Sequence, residues 1–219
     1  VLTFVPAIFL IFYRDRNEIS TDNNKKNINR NYLEFLLDPR FLQALTSATL
    51  AYVVMAFLMT ATPISMHIVH NLSLEKTGLV IQFHVLSMFL PSLFTGNLIK
   101  KFGYSKIMYA GVFFYILTII FSLFEPNFMN YLLGLIFLGI GWNFLFVSGT
   151  SLLVTTYKPE EKFKAQGFND LVVFSATALS SLSAGILISL TSWKTVNLLC
   201  IPFLILIIAS IINADRKNR

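Results

Sequence analysis

The chain has 219 residues, 55% of them hydrophobic and only 13% charged, with a mean hydropathy of +0.68. Water-soluble domains carry about a quarter charged residues, so the composition excludes that class and predicts a helical protein of several membrane spans; the apolar runs are continuous, which excludes a β-barrel of alternating strands. A formal charge of +6 raises nucleic acid as a partner, and the single Cys200 excludes a disulfide framework or thiolate metal cluster within the chain.

Residues 1–13 (VLTFVPAIFLIFY) are apolar but cover only about 20 Å as helix, too little to span a bilayer, and they lack the basic leader and small-residue cleavage site of a signal peptide. They are expected to be the end of a membrane helix whose beginning lies outside the chain, which makes the chain a fragment. Residues 14–40 are rich in Asn, Lys and Asp and read as a solvated loop, with a short amphipathic helix over 32–37 lying on the membrane surface. Six apolar spans follow, over 41–66, 78–98, 107–124, 128–156, 168–190 and 195–213, and a polar tail closes the chain at 214–219. Their short connections make neighbouring helices antiparallel.

Charge tests this layout. With the long loop on the cytoplasmic side, that side collects Arg14, Arg16, Lys25, Lys26, Arg30, Arg40, Lys100, Lys101, Lys106, Lys158, Lys162, Lys164, Arg216, Lys217 and Arg219, and leaves only Lys76 and Lys194 outside. The positive-inside rule predicts this bias, and one missed span would destroy it. The basic surplus is therefore topological, with membrane lipid as its partner, and no nucleic acid is expected.

The spans differ in polarity. The third and sixth are the most uniformly apolar and are expected at the periphery, facing lipid. The second carries Gln82, His84, Ser87, Pro91 and Thr95, groups that cost free energy in hydrocarbon unless protein or water satisfies them. On a helix His84 shares a face with Ser87, Met88, Pro91 and Thr95, while Gln82 lies nearly opposite. His84 can line a pathway or make an interhelical hydrogen bond; Gln82 and Asn143 are the other bulky polar candidates for a cavity. Tyr52, Trp142 and Phe144 can stack on an aromatic or amphipathic substrate or serve packing. Ala176, Ser180 and Ala184, four apart, let helix backbones approach closely. Pro63, Pro91 and Pro202 are expected to kink their helices. Asp170, near the start of its span, suits either a helix N-terminus or a gate contact with Lys100 or Lys164. His67 and His70 stand near Glu75 without an evident third ligand, so no metal and no cofactor is expected.

The turn after the second span, Gly96-Asn97-Leu98-Ile99-Lys100-Lys101-Phe102-Gly103-Tyr104-Ser105-Lys106, resembles the loop signature of the major facilitator superfamily, glycine–x–leucine–x–acid–basic–x–glycine–x–basic. Gly96, Leu98, Lys101, Gly103 and Lys106 fit it; Lys100 stands where the family usually has an acid. The stretches TATPISMHIVH, IQFHVLSMFLPSLFTG, GIGWNFLFVSGTSLL and KAQGFND also resemble bacterial members, and the long loop followed by six spans resembles the C-terminal half of such a transporter. The resemblance implies an all-α integral membrane protein of the inner (plasma) membrane: the end of a preceding helix at 1–13, a cytoplasmic central loop at 14–40, a six-helix bundle at 41–213 and a cytoplasmic tail at 214–219. It implies secondary active transport of a small molecule by alternating access, not an enzyme, with the N-terminal half of the same transporter as the missing partner. Substrate, direction and coupling ion stay open. The rival is an intramembrane enzyme or a sensor on a six-span scaffold. The enzyme would need an activated serine, but the chain has no Gly-x-Ser-x-Gly, and Ser87 shares its helix with His84 without evident oxyanion donors. A sensor would carry a large soluble output domain.

Overall fold

The computed structural model describes residues 30–217; the predicted helix end at 1–13 and most of the 14–40 loop lie outside the described residues. Helix α1 (Tyr32–Leu37) occupies the residues where the sequence predicts it, with Asn31 as its N-cap. Asp38 then accepts from the Arg40 and Phe41 amides and starts α2 (Pro39–Pro63), whose first-turn proline has no N–H to leave unsatisfied. Past Pro63 the helix widens into a π-helical turn, Ile64–Val69. Next come α3 (Leu74–Phe89) and α4 (Ser92–Phe102), bent by 41° across Leu90 and Pro91. Pro91 has no N–H to donate to the turn before it, which places the bend there. Gly103, at φ +86°, makes the sharp junction to α5 (Tyr104–Leu123). The chain continues through α6 (Phe128–Leu153), a 3-10 turn (Pro159–Glu161), α7 (Lys162–Leu190), α8 (Trp193–Leu198) and α9 (Ile201–Lys217). No strand occurs among the described residues.

Five helical stretches are long and apolar enough to cross a membrane, and the bent pair α3–α4 makes a sixth if it forms one span. Several helices outrun the apolar segments: α7 begins at Lys162 rather than 168, and α9 continues to Lys217. Hydropathy marks the part that lipid surrounds, whereas backbone hydrogen bonding carries a helix on into polar surroundings.

The bundle is built around α2 and α6. Helix α6 packs on α2, α3 and α5, and it does so through glycines. A Cβ on Gly139 would stand 2.0 Å from Ser87 Oγ and 2.7 Å from His84 O, one on Gly141 2.5 Å from the Tyr115 ring, and one on Gly149 2.9 Å from the Ala48 amide nitrogen. Missing side chains thus let four helices meet backbone to backbone. Helix α5 is an outer helix with one-sided burial: Phe113, Ile116 and Ile120 are exposed, while Tyr115 is buried and donates its hydroxyl to Ala51 O at 2.7 Å. Helix α7 exposes more of itself than α5 or α9. It buries a narrow stripe, Ala165, Asn169, Val173, Ser180, Ala184 and Ile188, and Ser180 donates to Val53 O at 2.7 Å. The small residues at 180 and 184 belong to this contact face.

Hydrogen bonds and ring contacts sort the loops into two ends. Gln43 donates to Ser105 Oγ (3.1 Å) and Ser105 to Asp215 (2.7 Å), joining the starts of α2 and α5 to the end of α9. Arg40, Lys106 and Arg216 therefore share an end. At the other, Tyr131 meets Trp193 at 5.0 Å and shares a 2.6 Å hydrogen bond with Ser65, close to His70 and Lys194.

Candidate functional site

Halfway along α2 and α6, five aromatic rings gather. Trp142 and Phe146, one helical turn apart, stack at 5.0 Å and 16°, and Tyr52 of α2 meets both edge-on at 5.2 and 4.8 Å. Phe89, the last residue of α3, lies 6.1 Å from Trp142, and Phe174 of α7 lies 6.3 Å from Tyr52. The cluster is graded. Trp142 is 4% exposed, Tyr52 is half-buried, and Phe89 and Phe174 are 60% and 62% exposed. Its rim therefore opens between α3 and α7. Two donors there are unspent: the Trp142 indole N–H is buried without a partner, and no described residue bonds the Tyr52 hydroxyl. At its open rim such a patch offers ring faces and edges to a flat ring and the Tyr52 O–H to an acceptor.

Sequence-predicted candidates divide between two sides of α3. Gln82 is exposed, and a seven-residue spacing puts it on the same face as Phe89. His84 is fully buried on the opposite side, where its Nδ1 lies 2.8 Å from Leu135 O. A carbonyl can only accept, so Nδ1 carries the proton and Nε2, also buried, has no partner. Asn143 is likewise fully buried. Its Nδ2 donates to Met88 O (2.7 Å) and Ser92 Oγ (2.6 Å), and its Oδ1 accepts from Thr95 (2.6 Å). One amide thus spans the break between α3 and α4 and ties both pieces to α6.

In the loop signature, Gly96 and Gly103 have open space around a notional Cβ, so Gly103 is there for its positive φ, not for close packing. Leu98 is half-buried, and Lys100, Lys101 and Lys106 are exposed, with Lys101 Nζ 5.2 Å above the Phe102 ring. Asp170 is exposed and accepts from Asn169 at 3.1 Å; Lys164 donates to Arg30 O at 2.6 Å and covers the Tyr32 ring at 4.9 Å. At the other end, His67 Nδ1 pairs with Leu72 O (2.9 Å) and His70 Nδ1 with Ser65 O (2.8 Å). Among the described residues, no three His, Cys, Asp or Glu side chains gather as metal ligands.

A second cluster, at the basic end, went unread in the sequence. Arg30 grips Glu161 with two hydrogen bonds of 2.9 and 2.8 Å and also donates to Thr156 O at 2.8 Å. Glu161 is 3% exposed, and hydrogen bonds from the Arg30 guanidinium hold its carboxyl at about 2, while the same bonds push Arg30 further above its ordinary value. The pair pins the segment before α1 to the turn joining α6 to α7.

Apolar spans and helical construction throughout the described residues define a multi-pass helical membrane protein. The sequence model of the Major Facilitator Superfamily matches residues 44–219, and the chain belongs to that family. It is 40% identical over 179 residues to the riboflavin transporter RfnT of Brucella anthropi, covering 82% of this chain and 45% of that protein. Two Bacillus subtilis proteins named as uncharacterized MFS-type transporters are also similar: YdeG, 33% identical over 70% of this chain and 36% of its own, and YddS, 32% identical over 68% and 34%. The chain thus spans less than half the length of these relatives. No solved structure gives a significant match.

Proposed function

We propose that the complete protein is a secondary transporter that moves a small, flat heteroaromatic molecule across the plasma membrane by alternating access, and that this chain supplies its C-terminal half. The observation that carries this reading is the graded aromatic cluster of Tyr52, Trp142, Phe146, Phe89 and Phe174, open between α3 and α7 at mid-height. Transporters of repeat construction bind substrate near the bilayer midplane, where two bundles meet, and release it as one rocks against the other. Phe89, Phe174 and the half-buried Tyr52 meet the substrate ring at the open rim, with the Tyr52 hydroxyl and Gln82 as polar contacts, and the buried Trp142 backs them. His84 and Asn143 act behind the cluster by holding α3 against α6. The relative named for riboflavin supports a substrate of that shape. The gathering of basic residues at one end supports a cytoplasmic placement for that end, the 14–40 loop and the C-terminus.

Uptake of labelled riboflavin by cells that lack their own uptake route, expressing the complete protein, tests this. Tyr52→Ala should lower uptake about tenfold at unchanged protein level, the equivalent of about 1.4 kcal/mol of stacking and hydroxyl contact. Wild-type-like uptake in the variant would remove the cluster from the substrate's path. Absence of riboflavin uptake alongside uptake of another flat heterocycle would leave transport standing and change its substrate.

A further inference from the structure

On the flank of the bundle, α2, α7 and α9 leave an apolar groove of about 500 Å³. Leu42 and Leu50 of α2, Val172 of α7, and Leu206, Ala209 and Asn213 of α9 line it. Leu45 and Thr49 of α2 and Ser210 of α9, each less than a tenth exposed, form its floor.

Its position along the membrane is set by chain direction. Helix α2 starts at the basic end and α9 finishes there, so Leu42 and Asn213 mark the outer limit of the groove, and Leu50 and Leu206 its inner limit. That run is about 12 Å at 1.5 Å per residue, close to half of the roughly 30 Å hydrocarbon core. The groove therefore occupies one leaflet, from headgroup level toward the midplane. Water is excluded at that depth, and an empty groove would forfeit the dispersion contacts of its walls.

Charge lies directly beyond the mouth. Arg216 and Lys217 follow Asn213 by three and four residues, on the same face of α9 and one turn further out, and both are exposed. Asp215, between Asn213 and Arg216 in sequence, accepts from Ser105 on the α5 side. An apolar slot one leaflet long, capped by two cations at headgroup level, matches an anionic diacyl lipid in both shape and charge.

We propose that this groove is a binding site for one anionic phospholipid of the leaflet at the basic end, with an acyl chain between α2 and α9 and its phosphate held by Arg216 and Lys217. The test compares the complete transporter with its R216Q/K217Q and Ala209→Phe variants by native mass spectrometry, after exchange into equal mole fractions of phosphatidylglycerol and phosphatidylcholine. Wild type should retain one more phosphatidylglycerol than either variant and prefer it over phosphatidylcholine by about tenfold. Equal retention by wild type and R216Q/K217Q overturns the proposal. So does loss in the charge variant with full retention in Ala209→Phe, which would mean attraction at the headgroup level alone. Should Ala209→Phe not fold, photolysis of phosphatidylglycerol carrying a mid-chain diazirine decides the matter. Labelling of peptides covering 42–50 or 206–213 supports the site, and labelling confined to other peptides overturns it.

Discussion

Helices α6 and α7 are both long, apolar and interrupted by small residues, and they do opposite things with them. On α6, Gly139, Gly141 and Gly149 are contact points where a single added carbon would strike a neighbouring helix. On α7, Gly167 and Gly185 face open space, with nothing within 4 Å of a notional Cβ. Helix α6 is held from three sides and carries a fully satisfied amide, Asn143; α7 is held along one stripe and turns Leu171, Phe174, Leu179, Leu182, Ile186 and Leu190 outward. Small residues in an apolar helix therefore do not announce close packing by themselves. They permit it, and a neighbour must arrive for the permission to matter. The open face of α7 is the most exposed of the apolar spans, as expected of a side that meets the other half in the proposed transporter.

The contrast can be broken by substitution. The largest effect is expected for Gly139→Leu, whose side chain collides with Ser87 and the His84 backbone; it should cost at or above about 3 kcal/mol in thermal unfolding or prevent folding. Arg30→Ala comes next, because the joint between the two helices rests on Glu161. With that carboxyl held at about 2 rather than its ordinary 4.5, chiefly by the Arg30 guanidinium and also by the Lys158 amide, it contributes about 1–2 kcal/mol that is fully present above pH 4.5 and lost as pH falls toward 2. Arg30→Ala should remove most of it at neutral pH, and Glu161→Gln should flatten the stability profile between about pH 5 and 2. A wild-type slope in Glu161→Gln would assign the acid sensitivity elsewhere. Asn143→Leu removes the partner shared by Met88 O, Ser92 and Thr95 at the α3–α4 break, leaving Thr95 only Pro91 O, and should cost about 1–2 kcal/mol, detectable as a lowered unfolding midpoint. The smallest effect belongs to Gly185→Ala, which meets nothing and should raise stability by at most about 1 kcal/mol. If it were as damaging as Gly139→Leu, the distinction between the helices would fall.

Much of the architecture was legible because hydropathy and charge act along the chain. The spans, the basic end and the bend at Pro91 follow from local residue choice. The opposition of Gln82 and His84 was legible too, since 100° per residue puts them on different sides of one helix. What stayed hidden depends on partners distant in sequence. His84 meets a backbone carbonyl, Leu135 O, which has no signature in the letters. Arg30 and Glu161 lie 131 positions apart, and Arg30 read as one topological charge among many. Phe89 and Phe174 were lost among 22 phenylalanines, and only their approach to Trp142 and Tyr52 sets them apart. The π turn at Ile64–Val69 has no periodic cue, because a single wide turn is too short to shift a hydrophobic pattern.

The glycine contacts of α6 also have a kinematic meaning. Touching α3 and α5 at one level and α2 about 12 Å away along its axis, through bare backbone, leaves this helix neither free rotation nor free sliding. It acts as the hub of a block in which four helices share their degrees of freedom. In the proposed transporter, rocking would then carry α2, α3, α5 and α6 as one lever, with α7, held along a single stripe, the element left with most freedom.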